Sequence, residues 1–402
     1  MRGEIVTLGA ARSTCYALRD NFRGLGDMPV YRVNTLGQIK WLGQLIAVRP
    51  NGFVMVQSDG LAQHYEGLPW WAVDMRPQGF LGRAYARKHA AELRLPPDVR
   101  HWSETDALRA LLTHGGDAVG NVLLGDAAKD RFVNSPLPDV VETDDYLRMA
   151  QEVLAEGETW SSAGGEQPKF CVYTASGHVL VKFTEPVDNP VSQRWKDLLL
   201  TEHLALQTLA SAGVAAAVSS IVDNVSQRFL ALERFDRVGA LGRRAQVSLA
   251  ALDGEFTGNA TAPWPVVCAE LARSGVITAA AHRESALLFA FGTLIGNTDM
   301  HHGNLSFVSD EGLPYALSPA YDMLPMAFRP SAGGALPNTL TPAYLHPAID
   351  GATWAVALIL SRNFLSRLDA ENRFSNAFRL CIEALKMHVE AAGELVLRVD
   401  CR

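Results

Sequence analysis

Three polar residues in the second half of the chain have types and a spacing that suit phosphoryl transfer. Asp299 and Asn304 lie five residues apart in NTDMHHGNLSF, and Asp322 follows eighteen residues after Asn304, at the end of AYD. Phosphoryl transfer needs a carboxylate that orients the attacking hydroxyl and oxygen ligands that hold Mg²⁺. An Asp-x4-Asn loop followed by a second Asp offers both. Each residue taken alone is also a common turn former, and that alternative stays open.

A lysine and a glutamate form the second candidate pair. Lys182 interrupts the apolar strand VLVKF, and Glu202 falls on the apolar face of the helix that follows. A carboxylate on a buried face needs a partner, and Lys182 is the natural one. A strand lysine paired with a helix glutamate holds the ATP phosphates in protein kinases. The alternatives are an edge-strand lysine and a glutamate that reaches the helix edge.

The segment SSAGGEQPK, Ser161–Lys169, precedes the lysine strand. Small residues and glycines let backbone amides approach phosphate oxygens. The segment lacks the GK[ST] ending of a Walker A loop, and a Gly-Gly pair alone usually marks a turn. The chain order is therefore glycine loop, strand lysine, helix glutamate, Asp-x4-Asn, hairpin and Asp, which is the order of parts in a protein-kinase-like fold.

The elements that must position these residues follow from hydrophobic periodicity, turns and caps. Strands are predicted at VYRV, IKWLGQLIAV and GFVMVQ between residues 29 and 57, and at Asp117–Gly125, Lys169–Thr174, His178–Thr184, Ser219–Val222, Phe229–Glu233, Leu305–Val308 and Tyr315–Leu317. Helices are predicted at Ser103–His114, at Tyr146–Glu156, from Pro190 to Ser211 and over most of the chain beyond residue 238. A strand-rich half before a helix-rich half predicts an α+β fold with a cleft between lobes.

Length and composition limit the classes of protein that fit. A chain of 402 residues is long enough for two or three packed units. The net charge of −7 excludes a protein that binds polyanions over its whole surface. Five widely spaced cysteines without a CxxC pair predict reduced thiols in a cytoplasmic protein. The longest apolar run has about ten residues, too few for a membrane-spanning helix.

Taken together, the motifs resemble the HipA-like serine/threonine kinases, the toxins of bacterial toxin–antitoxin pairs, and most nearly their YjjJ branch. The resemblance rests on SSAGGEQPKF, VLVKF, LERFDR at Leu232–Arg237, IGNTDMHHGNLSF and SPAYDM, and it covers roughly residues 28–400. It implies a two-lobed, protein-kinase-like α+β fold. The implied ranges are 1–27 for the wing end of a winged helix, 28–145 for a strand-rich subdomain, 146–237 for the kinase N-lobe and 238–402 for a helical C-lobe.

The resemblance also implies roles for individual residues. Asp299 and His301 would be catalytic, and Asn304 and Asp322 would bind Mg²⁺. Ser161 matches a serine that the family autophosphorylates. The implied ATP-binding residues are Ser162, Ala163, Gly164, Gly165, Lys182, Glu202, Leu232, Glu233 and Phe235. The chain departs from ordinary kinases in having no glycine after Asp322.

The activity that the resemblance implies is ATP- and Mg²⁺-dependent phosphorylation of Ser or Thr on a protein, with a translation component such as an aminoacyl-tRNA synthetase as a target. An antitoxin is an implied partner. DNA would be bound only weakly or through a partner, because GAARSTCYALR resembles only the wing end of a DNA-binding domain. Two alternatives remain: a small-molecule phosphotransferase, whose DLHPGN loop DMHHGN also resembles, and a DNA-binding regulator with an inactive kinase fold.

Overall fold

The computed structural model describes residues 4–9, 14–155, 167–224 and 226–399. The chain divides into two compact units, Met1–Pro138 with Asp236–Val247, and Asp139–Phe235 with Ser248–Arg402. The domain ranges predicted from the sequence are consecutive segments, whereas here a short segment after residue 235 returns to the first unit. None of the described helices combines the length and apolar character needed to cross a bilayer.

The described elements are numbered in chain order. The strands are β1 Ile5–Leu8, β2 Cys15–Arg19, β3 Met28–Val33, β4 Ile39–Arg49, β5 Phe53–Gln57, β6 Ala62–Tyr65, β7 Val122–Leu124, β8 Lys169–Thr174, β9 Gly177–Phe183, β10 Ser219–Asp223, β11 Arg228–Glu233, β12 Arg237–Val238, β13 Gly242–Arg243, β14 Ala245–Ser248, β15 Ser306–Ser309 and β16 Ala316–Leu317. The helices are α1 Trp70–Val73, α2 Gly79–Leu93, α3 Glu104–His114, α4 Asp126–Asn134, α5 Tyr146–Ala155, α6 Pro190–Ser211, α7 Leu249–Phe256, α8 Trp264–Arg273, α9 Ala279–Leu294, α10 Gly351–Ala370 and α11 Asn376–Val399.

The first unit is built on an antiparallel sheet of seven strands. Its order is β1-β2-β4-β3-β7, and β5 pairs with both β4 and β6. The long strand β4 joins β2, β3 and β5 in one sheet. At Gly43 the backbone of β4 lies so close to β5 that a Cβ would be 2.0 Å from the carbonyl oxygen of Val56, so this position requires glycine. Strands β1 and β2 belong to the same sheet, because β2 pairs with β4.

Helices of the first unit cover the sheet, and not all of them are predicted from the sequence. The predicted helix at Ser103–His114 is confirmed, with Ser103 and Asp106 forming a reciprocal capping box. The sequence does not predict α2 or α4. The sequence of α2 contains Gly82, a residue that is unfavourable in helices and hides the helical pattern. Glycine is needed there because a Cβ would lie 2.5 Å from the carbonyl carbon of Pro77. The strand predicted at 117–125 is wrong at its start, because residues 115–117 form a 3-10 turn.

The second unit begins with an antiparallel sheet of four strands in the order β10-β11-β9-β8. One face of this sheet packs against α5, with Tyr146 contacting a core that includes Phe170, Val181 and Phe229. The opposite face carries Lys182 and contacts α6. Because both faces of the sheet are covered, β9 is apolar almost throughout, and Lys182 is its one charged residue.

Helix α6 follows the sheet and begins as the sequence predicts. The Asn189 side chain accepts a hydrogen bond from the Ser192 backbone at 2.8 Å, and Pro190 occupies the first turn. The predicted end at Ser211 is also confirmed. Helices α7 to α11 make up most of the remainder, with Trp264 and Trp354 fully buried among them. The α+β class predicted from the sequence is thereby confirmed.

The predicted hairpin after the Asp-x4-Asn loop is present as β15 and β16. Phe307 pairs with Leu317 and Val308 with Ala316, so the chain reverses and returns toward Asp322. Among the described residues, Cys15, Cys268 and Cys381 are free cysteines.

Candidate active site

A buried lysine on β9 joins two carboxylates from different elements. Lys182 Nζ donates to Glu202 Oε1 at 2.7 Å and to Oε2 at 2.9 Å, and it also donates to Asp322 Oδ1. Asp322 closes the network, because its backbone N–H donates to Glu202 Oε1 at 3.3 Å. The predicted contact between Lys182 and Glu202 is thus present. The contact with Asp322 adds a partner that local spacing could not reveal.

The charges of this network depend on burial and on one another. Burial opposes the charge of Lys182, but the carboxylates of Asp322 and Glu202 outweigh it and raise the pKa of the ammonium. Burial raises the pKa of Glu202, although Lys182 partly offsets it. For Asp322, burial is outweighed by the positive charges of Lys182 and Lys169, which lower the pKa of its carboxyl. Asp322 is therefore an anion with 32% of its side chain exposed.

Asp322 also has an unusual backbone. Its φ of 51° lies in the left-handed region, and only Arg94 shares this property among the described non-glycine residues. Aspartate tolerates this conformation better than most residues, but it still has an energetic cost. The preceding hairpin and the contacts of Asp322 with Lys182 and Glu202 hold it in place. Strain of this kind is characteristic of functional sites.

Side-chain amides shape the loop that carries Asp299. Asn304 Nδ2 donates to the Asp299 carbonyl at 2.8 Å, which closes the Asp-x4-Asn loop on itself. Asn297 is buried and joins two segments: its Oδ1 accepts from the Asp299 backbone at 3.1 Å and its Nδ2 donates to the Asp322 carbonyl at 3.2 Å. Asn297 was not predicted as a site residue, because its role depends on its burial and on a contact with Asp322, 25 residues later in the chain.

His301 and Arg329 line the same cavity as Asp299. His301 Nδ1 accepts from the Gly303 backbone at 3.0 Å, and its carbonyl accepts from Trp264 Nε1 at 3.1 Å. Arg329 Nη1 lies 4.0 Å from Asp299 Oδ1, with both side chains partly exposed. The segment that carries Arg329 is held by Arg194 of α6, which donates to the Phe328 carbonyl at 2.8 Å.

These side chains share one cavity of about 380 Å³. Its lining residues are Gln167, Lys169, Lys182, Trp195, Leu199, Glu202, Asp299, His301, Asn304, Asp322, Leu324, Met326 and Arg329. Six residues predicted from the sequence are therefore brought together: Lys182, Glu202, Asp299, His301, Asn304 and Asp322. Asp299, Asn304 and Asp322 thus line the same cavity as the buried lysine.

Other predicted residues are not brought to this cavity. Leu232 and Glu233 end β11, and Leu232 pairs with Leu180 on β9, but neither lines the cavity. Phe235 stacks near Tyr321, with ring centres 5.7 Å apart, and it too is outside the lining. The glycine-loop residues lie outside the described part of the chain: Ser161, Ser162, Ala163, Gly164 and Gly165.

Three polar lining residues were not predicted as site residues. Lys169 pairs with Lys182 across β8 and β9, so both lysines lie on one face of the sheet. Gln167 is buried, and its Nε2 has no hydrogen-bond partner in the described structure. A strand register could have identified Lys169, since VLVKF and PKF are adjacent predicted strands. Arg329 carries no such signal, because it reaches Asp299 from a segment thirty residues later.

Two family models match separate parts of the chain, and one known protein matches nearly all of it. A family model described as the middle domain of YjjJ-like toxins matches residues 25–133, and a model of the HipA-like C-terminal domain matches residues 161–383. Toxin YjjJ of Escherichia coli K12 is 39% identical over 406 residues, which cover 98% of this chain and 91% of that protein.

A solved structure shares the fold at low identity. It is a chain of the HipA, HipB and operator DNA complex of the Shewanella oneidensis MR-1 toxin–antitoxin system, with a TM-score of 0.57 and 14% identity over 93% of this chain and 98% of that one. The two-lobed, kinase-like α+β fold is therefore the HipA fold. With the matched domains and the 39% identical relative, the chain belongs to the HipA-like toxin family, in its YjjJ branch.

Proposed function

We propose that the protein is an ATP- and Mg²⁺-dependent kinase that phosphorylates Ser or Thr on a protein. The observation that carries this proposal is the single cavity into which Lys182, Asp322, Asn304 and Asp299 converge. A lysine held by a helix glutamate, together with a carboxylate and an amide from two adjacent loops, matches the set that positions a nucleotide triphosphate and its metal ions in protein kinases.

The cavity has donors for a polyphosphate. Lys169 and Lys182 lie directly opposite each other on neighbouring strands, and like charges in that position repel unless an anion offsets them. Lys182 contacts two carboxylates, of which Asp322 is the more exposed. The buried Gln167 amide adds an N–H donor that has no partner in the described structure. Two cations and an orphaned donor on one wall suit phosphate oxygens.

The same cavity also offers acceptors for a hard cation. Asp322 offers an anionic carboxylate, and Asn304 offers Oδ1 because its Nδ2 is occupied by the Asp299 carbonyl. Carboxylate and amide oxygens are the ligands that Mg²⁺ prefers. When bound, Mg²⁺ would neutralise charge on the β- and γ-phosphates. Asn297 would keep the two ligand-bearing segments in register through its hydrogen bonds to both.

Asp299 would orient the acceptor hydroxyl and take its proton. Its carboxylate makes no hydrogen bond within the loop, because the loop is closed through its backbone N–H and carbonyl. Its neighbours at the cavity are His301 and the Arg329 guanidinium at 4.0 Å. A carboxylate placed in this way contributes about 10²–10⁴-fold as a general base. Lys182 and Asp299 would thus have separate tasks, phosphate binding and hydroxyl activation.

The proposed acceptor and partners follow from the family. HipA of S. oneidensis was solved with HipB and operator DNA, so an antitoxin is the first protein partner to seek, and DNA binding through that partner is the proposed route. A translation component such as an aminoacyl-tRNA synthetase is the first acceptor to test. Autophosphorylation at Ser161 remains a prediction from the sequence, since Ser161 lies outside the described residues.

Two rival functions make different predictions. A small-molecule phosphotransferase would label a soluble metabolite and no protein. A DNA-binding regulator with an inactive kinase fold would bind DNA with a steep salt dependence and would not bind ATP. The formed Lys182–Glu202 pair favours an active nucleotide site over the inactive fold, because a buried ion pair is retained at a desolvation cost.

The test is transfer of phosphate from γ-labelled ATP to proteins of a lysate, with labelled sites identified by mass spectrometry. We expect Mg²⁺-dependent labelling of Ser or Thr by the wild-type protein. Asp299→Ala should lose about 10²–10⁴-fold of the rate while still binding ATP. Asp188→Ala, which changes an exposed aspartate in the same unit, is the matched control and should keep full activity. Wild-type activity in Asp299→Ala, or labelling of metabolites alone, would refute the proposal.

A further inference from the structure

A second cluster of titratable side chains lies in the first unit, outside the candidate active site. His89 and Glu92 belong to the last turns of α2, and His114 is the last residue of α3. One nitrogen of each histidine and one carboxylate oxygen of Glu92 all lie within 4.8 Å of one another. No other group of three such residues meets this condition within the described ranges.

Helical spacing explains how the cluster forms. His89 and Glu92 are three residues apart and lie on one face of α2, with Glu92 Oε2 3.7 Å from His89 Nδ1. The two imidazole rings are neighbours with a centroid distance of 4.2 Å and an interplanar angle of 38°. A small core between α2 and α3, which includes Ala86, Ala90 and Ala110, holds the two helices together.

A hydrogen-bond chain determines which nitrogen of His114 is available. Tyr85 lies one turn before His89, and its hydroxyl oxygen is 2.8 Å from His114 Nδ1 and 3.4 Å from the Ala110 carbonyl. The carbonyl can only accept, so the Tyr85 hydroxyl donates to it and accepts from His114 Nδ1–H. His114 Nε2 is then left with a lone pair. Metal-binding histidines are held in this way by a partner on their other nitrogen.

His89 contributes an atom without a partner. Its Nδ1 is buried and makes no hydrogen bond within the described structure. A buried imidazole nitrogen that makes no hydrogen bond, beside a second imidazole and a carboxylate, suits a cation with vacant coordination positions.

We propose that His89, Glu92 and His114 form a binding site for a divalent transition-metal ion of the Zn²⁺ class. Two imidazoles and one carboxylate are ligands that Zn²⁺ takes in proteins, with a fourth position left open to water. The ligand atoms are farther apart than in a loaded site, so binding draws the two helix ends together. The site joins α2 to α3 and thereby stabilises the first unit in proportion to metal occupancy.

The test is titration of the full-length protein with Zn²⁺ alone, in excess Mg²⁺ so that oxygen-rich sites stay occupied. Calorimetry should give one Zn²⁺ per chain, and the midpoint of thermal unfolding should rise on addition of the metal. Glu92→Gln and His114→Gln should each lose this binding and this rise. Tyr85→Phe should weaken binding by about tenfold, because it removes only the partner of His114.

His64→Gln is the matched control, since His64 is an exposed histidine on β6 of the same unit. It should bind Zn²⁺ as tightly as the wild type. Because the Glu92 side chain is 65% exposed, Glu92→Gln should fold normally and remain informative even if a histidine variant does not. Absence of stoichiometric binding by the wild type, or equal affinity in Glu92→Gln and His64→Gln, would overturn the proposal.

Discussion

Two ion-pair networks in this protein each join a buried cation to two carboxylates, but the cations have different further acceptors. In the first unit, Arg237 contacts Asp236 and Asp117. In the second unit, Lys182 contacts Glu202 and Asp322. The Arg237 guanidinium also donates to the carbonyls of two neighbouring residues, Gly120 at 3.0 Å and Ala118 at 2.9 Å.

The two networks differ in whether a ligand can replace one of the groups that accept hydrogen bonds from the cation. Backbone carbonyls are fixed acceptors, so the donors of Arg237 are committed to the fold. Lys182 has only side-chain acceptors, and one of them, Asp322, is partly exposed at a cavity. An anionic ligand can therefore replace a carboxylate at Lys182 without breaking a backbone contact. Arg237 lies in the LERFDR motif of the family, yet its contacts indicate a structural task.

The largest expected effect is a loss of unfolding free energy in Arg237→Met. Removing the guanidinium takes away the cation that the buried Asp236 contacts at 2.6 Å, and loss of one partner of a buried pair costs about 3–5 kcal/mol. Urea unfolding followed by tryptophan fluorescence measures this cost. Arg100→Met removes an exposed ion pair with Asp98 in the same unit and should leave the urea midpoint almost unchanged. Equal losses in both variants would show that the Arg237 network is not structural.

The second effect is on nucleotide affinity, in Lys182→Met. Hydrogen bonds to charged groups contribute about 1.5–3 kcal/mol, so Mg·ATP affinity should fall by about 10–100-fold. Glu202→Ala should weaken binding in the same direction but less, because Glu202 acts through Lys182. Isothermal titration calorimetry with Mg·ATP measures both.

The double variant of Lys182 and Glu202 tests whether the two residues act as one unit. Residues that share a network show coupling of about 0.5–3 kcal/mol, so the double variant should lose much less than the sum of the single losses. Additive losses would contradict the pair. Arg237→Met, measured on folded protein, is the control and should bind Mg·ATP normally.

A third, smaller effect is on acid stability. The pKa of Asp322 is lowered in the folded protein, so its carboxylate contributes stability that is present above the unfolded value of about 3.9 and is lost as the pH falls through its folded pKa. Glu202 has a raised pKa, so its contribution is present below about 4.3 and is lost as the pH rises through its folded pKa. The two carboxylates of one network therefore respond to pH in opposite directions.

Asp322→Asn should accordingly lose less stability than the wild type when the pH falls below about 4. Urea midpoints at a series of pH values, compared between the two proteins, measure the difference. Asp188→Asn, which changes an exposed aspartate, should follow the wild type. A wild-type acid profile in Asp322→Asn would show that the Asp322 carboxylate is not held by Lys182.

The smallest effect is expected for Arg329→Ala. Its guanidinium lies 4.0 Å from Asp299 with 48% of the side chain exposed, and pairs of this kind contribute about 0–1 kcal/mol. The rate of phosphate transfer should therefore change by less than about fivefold. A loss of 100-fold or more would show that Arg329 takes part in the reaction, and that an exposed pair matters as much here as a buried one.

The sequence was informative where chemistry and local structure coincide. A continuous apolar run placed Lys182 inside a buried strand, and helical spacing placed Glu202 on a buried face, so their contact followed from the need to pair a buried charge. The helix at Ser103–His114 and the start and end of α6 at Pro190 and Ser211 followed from local backbone requirements.

Contacts between distant segments were beyond such reasoning. Asp322 reaches Lys182 across 140 residues, and Arg329 reaches Asp299 after an irregular segment, so neither contact has a periodic signal. Helix α2 was missed because Gly79 and Gly82 are typical of loops, and a tight contact with Pro77 explains the second glycine only once the fold is known. The cluster of His89 and His114 went unnoticed for the same reason, since it joins the ends of two helices.

The most direct test of the account is the Mg²⁺ dependence of ATP binding in Asp322→Asn and Asp236→Asn. Both variants remove one carboxylate charge from a network of one cation and two carboxylates. Calorimetric titration of folded protein with ATP, with and without Mg²⁺, should show that Asp322→Asn loses the Mg²⁺-dependent gain in affinity, whereas Asp236→Asn keeps it. Equal affinity in the two variants, or no ATP binding by the wild type, would contradict the assignment of the Lys182 cavity as the nucleotide site.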